Sequence, residues 1–153
     1  MTQNTDRIEK QIFIKAPRQR VWRALTDQNE FGQWFRVKLA NGFRAGVPTT
    51  GNITYEGYEH LKFTLTVEQM VPERLFSWRW IPNAMDPARD YSREPTTLVV
   101  FELEEAPGGT LLKVTESGFD NVPIDRRAMA FRSNDEGWGI QMENIAKHVG
   151  NTA

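Results

Sequence analysis

The sequence predicts an α+β domain, an antiparallel sheet packed on one long C-terminal helix. Three observations carry this. In "LKFTLTVEQMV", Leu61, Phe63, Leu65 and Val67 alternate with Lys62, Thr64, Thr66 and Glu68, the period of a sheet with one wet face. Several such stretches follow one another across short turns, which favours antiparallel pairing. Near the end, Trp138, Met142, Ile145 and Val149 recur at spacings of four, three and four, one stripe of a helix.

The elements follow in order. "RIEKQIFIKA" alternates around Ile8 and Phe13 and reads as the first strand, although Ile12 and Ile14 are apolar too. Pro17 suits the first turn of a helix, and Val21, Trp22, Ala24 and Leu25 give that helix an apolar face ending near Asp27. "QNEFGQWF" reads as a second short helix with Phe31, Trp34 and Phe35 inward. "VKLA" is a strand candidate, "GVPTTG" a turn, and "NITYEGYE" a strand that turns Tyr55 inward with Ile53. After the alternating "LKFTLTVEQMV", "RLFSWRWI" places Phe76, Trp78 and Trp80 on one face, opposed by Ser77 and Arg79. Residues 82–95 hold Pro82, Pro87 and Pro95 with mixed charge. They predict a long loop, the kind often used as a lid or binding element. "TTLVVFELEE" resumes the sheet with Val99, Phe101 and Leu103 together, "PGG" closes a hairpin, and "TLLKVTES" puts Leu112 and Val114 inward.

In the last helix, Ser133 and Glu136 have capping-box spacing, so the helix starts there or at a turn near Pro123. Gly150 is a candidate stop. Gly137 and Gly139 flank Trp138, and each costs roughly 1 kcal/mol in a helix interior. Either they permit a close approach or bend, or they sit in a first turn where little helix is lost.

The chain has 153 residues, enough for one domain with its own core, expected over 6–150 after a polar tail at 1–5. It has no cysteine, which excludes disulfides, thiol nucleophiles and cysteine metal sites. With 19 basic and 20 acidic residues it has no bias toward nucleic acid. No apolar run reaches the ~20 residues of a membrane span, and "MTQNTDRIEK" lacks a signal-peptide core, so a cytoplasmic location is expected.

No catalytic motif is present. His60 and His148 lack metal-ligand spacing, no G-x-S-x-G occurs, and "GNITYEG" is not a phosphate loop. No metal and no cofactor are expected. Arg79 and Glu68 read as outer-face residues. Glu116 carries two readings. Strand alternation from Leu112 and Val114 turns it inward, where an unpaired carboxylate is costly. Alternatively the strand ends by Thr115 and Glu116 is solvated.

The segments "IKAPRQRVWRALTD", "PERLFSWRW", "GTLLKVTESGF" and "EGWGIQMENI", in this order, resemble the helix-grip superfamily of StAR-related lipid-transfer and birch-pollen-allergen-like proteins (SRPBCC). Within it the chain is most similar to bacterial proteins related to the activator of the heat shock protein 90 ATPase. The resemblance implies a curved sheet of about six or seven strands wrapped on the long helix, two short helices after the first strand, and a cavity between sheet and helix. Its expected wall is Tyr55, Phe76, Trp78, Trp80, Phe101, Glu116, Trp138 and Met142, with Phe119 at one end. Three functions then compete: binding of a hydrophobic small molecule, interaction with a protein partner such as a chaperone, and cyclase- or lyase-like catalysis using Glu116, Tyr55 or His60. The oligomeric state is not expressed in the sequence.

Overall fold

The computed structural model describes residues 5–86 and 88–152; residues 1–4 of the expected tail, and Pro87, lie outside them. Seven strands form one antiparallel sheet: β1 (Arg7–Ile14), β2 (Val37–Leu39), β3 (Pro48–Ile53), β4 (Lys62–Val71), β5 (Leu75–Trp80), β6 (Thr97–Ala106) and β7 (Gly109–Ser117). Helices α1 (Arg18–Thr26) and α2 (Gln28–Phe35) connect β1 to β2, and α3 (Ile124–Thr152) ends the chain. The spatial order is β1-β7-β6-β5-β4-β3-β2. Strands two to seven therefore form a meander, and β1 closes on the last strand, with Arg7 opposite Ser117 and Ile14 opposite Thr110. This is the predicted helix-grip arrangement.

Local chemistry sets the joints. Asp27 caps α2 by accepting hydrogen bonds from the backbone N–H groups of Asn29 (3.0 Å) and Glu30 (2.9 Å). Gly32 is required because a Cβ there would collide with the Val37 carbonyl, where α2 meets β2. Pro107 and Gly108 turn the β6–β7 hairpin, with Gly108 at φ 84°. Glu68 lies at a bulge in β4 between Val67 and Gln69, and its carboxylate takes a hydrogen bond from Arg79 Nε (2.6 Å).

The inner face of the sheet, with Phe76, Trp78, Val99, Phe101, Leu112 and Val114, is at most 1% exposed. It packs under α3, whose stripe of Trp138, Met142, Ile145 and Val149 is at most 3% exposed. Burying each such side chain stabilises by roughly 1.5–3 kcal/mol, so the stripe outweighs the cost of two glycines several-fold.

Five sequence expectations are corrected in whole or in part. The "GVPTTG" segment is not wholly a turn. The turn is confined to Arg44–Val47, with Gly46 at φ 80°, and β3 begins at Pro48. Consequently β3 ends at Ile53, and Tyr55 stands in the following loop, 50% exposed. Of the two starts offered for the last helix, the turn near Pro123 holds: α3 begins at Ile124, so Ser133 and Glu136 lie inside it and form no capping box. Gly150 does not stop the helix, which runs on to Thr152. For Gly137 and Gly139, the close approach and the first turn are both overturned. Both residues are well inside α3, and a Cβ at either would meet nothing within 4 Å.

Candidate functional site

The strand reading that turns Glu116 inward holds. β7 continues to Ser117, with Glu116 opposite Ile8 on one side and Val99 on the other. Gly118, at φ 104°, ends the strand only after that. The carboxylate is 0% exposed, and no cation among the described residues pairs with it. Four neutral donors surround it instead. Oε2 accepts from Trp80 Nε1 (2.8 Å) and Thr97 Oγ1 (2.5 Å). Oε1 accepts from Trp138 Nε1 (2.8 Å) and Asn134 Nδ2 (2.9 Å). That is the full acceptor capacity of a carboxylate.

The backbone explains the convergence. Trp80 and Thr97 are cross-strand partners in β5 and β6. Asn134 and Trp138 are four apart on α3 and share a face. One carboxylate thus ties the sheet to the helix and sets the Trp80 and Trp138 rings 6.0 Å apart at 28°.

Beside this cluster lies an open groove of about 620 Å³. Its walls come from the ends of α2 and β3, from β4 and β5, the 54–61 loop, the loop after β5 and α3. Aromatic and aliphatic groups dominate, among them Phe35, Ile53, Tyr58, Phe63, Trp80 and Met85, with Asn134 and Gln141 on the helix side.

The 82–96 loop is fastened down. Arg126 of α3 donates to Glu94 Oε1 (2.8 Å) and to the Pro82 carbonyl (2.7 Å). Arg89 bridges Glu94 Oε2 (2.8 Å) and Asp125 Oδ2 (2.7 Å). The Tyr91 ring lies 4.9 Å from the Arg126 guanidinium and 5.7 Å from that of Arg89. The Arg89 hydrogen bond holds the Asp125 carboxyl below its usual range.

Of the nine expected wall residues, Tyr55 and Trp80 border the groove. Glu116 and Trp138 sit directly behind its wall, joined to Trp80 and Asn134. Phe76, Trp78, Phe101 and Met142 pack in the core, where Trp78 meets Phe76, Phe101 and Trp138 at ring distances of 5.4, 5.5 and 6.3 Å. Phe119 is buried against Phe131 at 5.2 Å. Sequence reasoning passed over Thr97 and Asn134. Both were accessible by periodicity, Thr97 from the alternation with Val99 and Phe101, Asn134 from its spacing to Trp138.

The histidines stand apart. His60 is exposed, and His148 meets Glu30 Oε1 at 2.9 Å. Arg20 and Arg23 also pair with Glu30, at 2.8 and 2.9 Å. Burial raises the Glu30 pKa, but the hydrogen bonds from His148, Arg20 and Arg23 outweigh it and hold the carboxyl below its usual range. No cluster of three or more potential metal-ligating side chains occurs among the described residues, and no helix among them is long and apolar enough to cross a membrane.

Solved structures share this architecture. Protein MLL2253 from Mesorhizobium loti superposes with a TM-score of 0.76 at 23% identity, over 96% of this chain and 98% of that one. The Aha1 dimer from Colwellia psychrerythraea gives 0.68 at 19%, over 94% and 95%. CalU16 from Micromonospora echinospora gives 0.65 at 20%, over 94% and 75%. At these identities the likeness establishes the fold. No curated protein matches the sequence significantly. The family described as "Activator of Hsp90 ATPase homolog 1-like protein" matches residues 15–150, nearly the whole chain, and the protein therefore belongs to that family.

Proposed function

We propose that this protein is a binding module for an apolar, aromatic small molecule, held in the groove beside Trp80. The observation that carries the reading is the groove itself. Its volume of about 620 Å³ falls in the range of small-molecule sites, and its lining is mainly apolar with a few polar groups. The wall expected from the sequence moves accordingly, from the packed centre of the sheet to the end where Trp80 and Tyr55 emerge. Glu116 supports binding over catalysis. Its oxygens already accept four hydrogen bonds, so no lone pair is left to take a proton from a substrate.

The test is native mass spectrometry of gently purified protein beside a denatured portion of the same sample, followed by titration of a panel of aromatic compounds monitored by tryptophan fluorescence. A mass lost on denaturation, or saturable quenching reduced by Trp80→Leu, supports the reading. Failure of every compound to perturb the protein, with no co-purified mass, counts against it. Family membership favours a second reading, regulation of a chaperone ATPase. Saturable stimulation of a purified heat shock protein 90 ATPase by this chain would support that one.

A further inference from the structure

One polar group of the groove wall has its direction fixed from behind. Asn134 lines the groove and also touches Glu116. A carboxylate only accepts hydrogen bonds, so the Asn134 amide must turn its nitrogen inward, 2.9 Å from Oε1. In a planar amide the carbonyl oxygen then points away from Glu116. Asn134 Oδ1 accepts no hydrogen bond from the described residues, and it is not sealed in the interior. Donation to a charged acceptor also polarises the amide, which strengthens Oδ1 as an acceptor.

The same carboxylate orients the neighbouring flat surface. Trp80 borders the groove, its Nε1 is held by Oε2 at 2.8 Å, and its ring stacks on Trp138. Gln141, the other amide of the helix wall, is partly engaged, since its Oε1 accepts from Asn144 Nδ2 at 3.1 Å. Where β5 meets α3, the groove therefore presents the Trp80 ring with an unfilled acceptor, Asn134 Oδ1, next to it.

We infer that the ligand has a flat aromatic body seated against Trp80 and a hydrogen-bond donor, a hydroxyl or N–H, that binds Asn134 Oδ1. Glu116 does not touch the ligand. It is a positioning residue that fixes both contact groups at once. The inference rests on the groove being the ligand site.

Indole and 1-methylindole test it, since they differ in one N–H. Binding of each to the full chain is measured by NMR titration, following the groove residues and the indole N–H signals of Trp80 and Trp138. Indole should bind about fivefold more tightly, the value of one net hydrogen bond. Asn134→Ala should bring the two compounds within about twofold of each other, whatever effect it has on both in common. Glu116→Leu, which removes both acceptor oxygens, should reduce the preference as well, with displacement of the Trp80 and Trp138 N–H signals. Equal affinities in the unmodified chain, with shifts at groove residues, would overturn the donor inference and leave the groove as the site. Absence of groove shifts with both compounds would remove the site and this inference together. A preference that survives Glu116→Leu undiminished would remove Glu116 from its positioning role.

Discussion

Glu116→Gln is the most informative single change, because it alters the charge and hardly the shape. The side chain keeps one acceptor oxygen and replaces the other by an N–H₂ group. Suppose the nitrogen takes the place of Oε2. Thr97 can rotate its hydroxyl to accept, but the Trp80 indole N–H cannot. If it takes the place of Oε1, Asn134 can flip its amide, but the Trp138 indole N–H cannot. Either way one buried indole N–H faces another donor. Losing a hydrogen bond to a charged group costs about 1.5–3 kcal/mol, and the remaining bonds lose their charge assistance. Relief from burying a charge offsets part of this. The net expectation is a loss of about 2–4 kcal/mol, a large share of the stability of a small domain. Thr97→Val removes one donor and should cost less, about 1–2 kcal/mol. The assay is equilibrium urea unfolding followed by tryptophan fluorescence and circular dichroism. A Glu116→Gln protein within about 0.5 kcal/mol of the unmodified chain would refute the reasoning.

The other predictions concern the rest of the molecule. Gly137→Ala and Gly139→Ala place a methyl in open space inside α3, so each should stabilise by roughly 1 kcal/mol in the same urea assay; no gain would mean that this part of the helix is not continuously formed in solution. The Glu30 carboxyl has a lowered pKa when folded, so its contribution is complete above the unfolded value of 4.5 and is lost as pH falls through the folded value. The stability difference between the unmodified chain and Glu30→Gln should accordingly shrink below pH 4.5, and a difference constant with pH would exclude the linkage. Arg126→Ala strips one partner from Glu94 and the donor from Pro82, while Arg89 remains. It should cost about 2–3 kcal/mol, less than for an isolated buried pair, and speed amide hydrogen exchange across residues 82–96. Unchanged exchange there would show that the loop is held by other contacts.

Most of the architecture was legible because the sheet is wet on one face. Alternation in β4 and β5 and the stripe of α3 are local patterns that a window of residues exposes. What escaped depended on partners distant in sequence. Pro48 to Gly51 look like a turn in isolation, yet they pair with β4, and Gly51 and Leu39 are opposed across β2 and β3. Ser133 and Glu136 have a capping spacing and Pro123 marks an earlier turn, and nothing local decides between them; the helix begins at Ile124. Glu116 was undecidable alone, since only its neighbours Ile8 and Val99 keep β7 extended past Thr115. The candidate site was half legible for the same reason. Its aromatics announced themselves, but the groove forms where a loop folds over the sheet, and no periodicity encodes that.

The pairing of β1 with β7 also governs how the molecule can be made. Every other adjacent pair in the sheet joins strands consecutive in the chain and can zip up soon after emerging from the ribosome. The first strand must wait until Thr110 to Ser117 exist before its backbone finds a neighbour. During that interval Ile8 and Ile14, buried in the finished protein, have no sheet to cover them. Contacts of such long sequence separation slow the productive step, because loop closure precedes any reward. Release of the last third of the chain is therefore the event that commits the domain to its final form, and a stalled or shortened product would leave an adhesive strand at its front end.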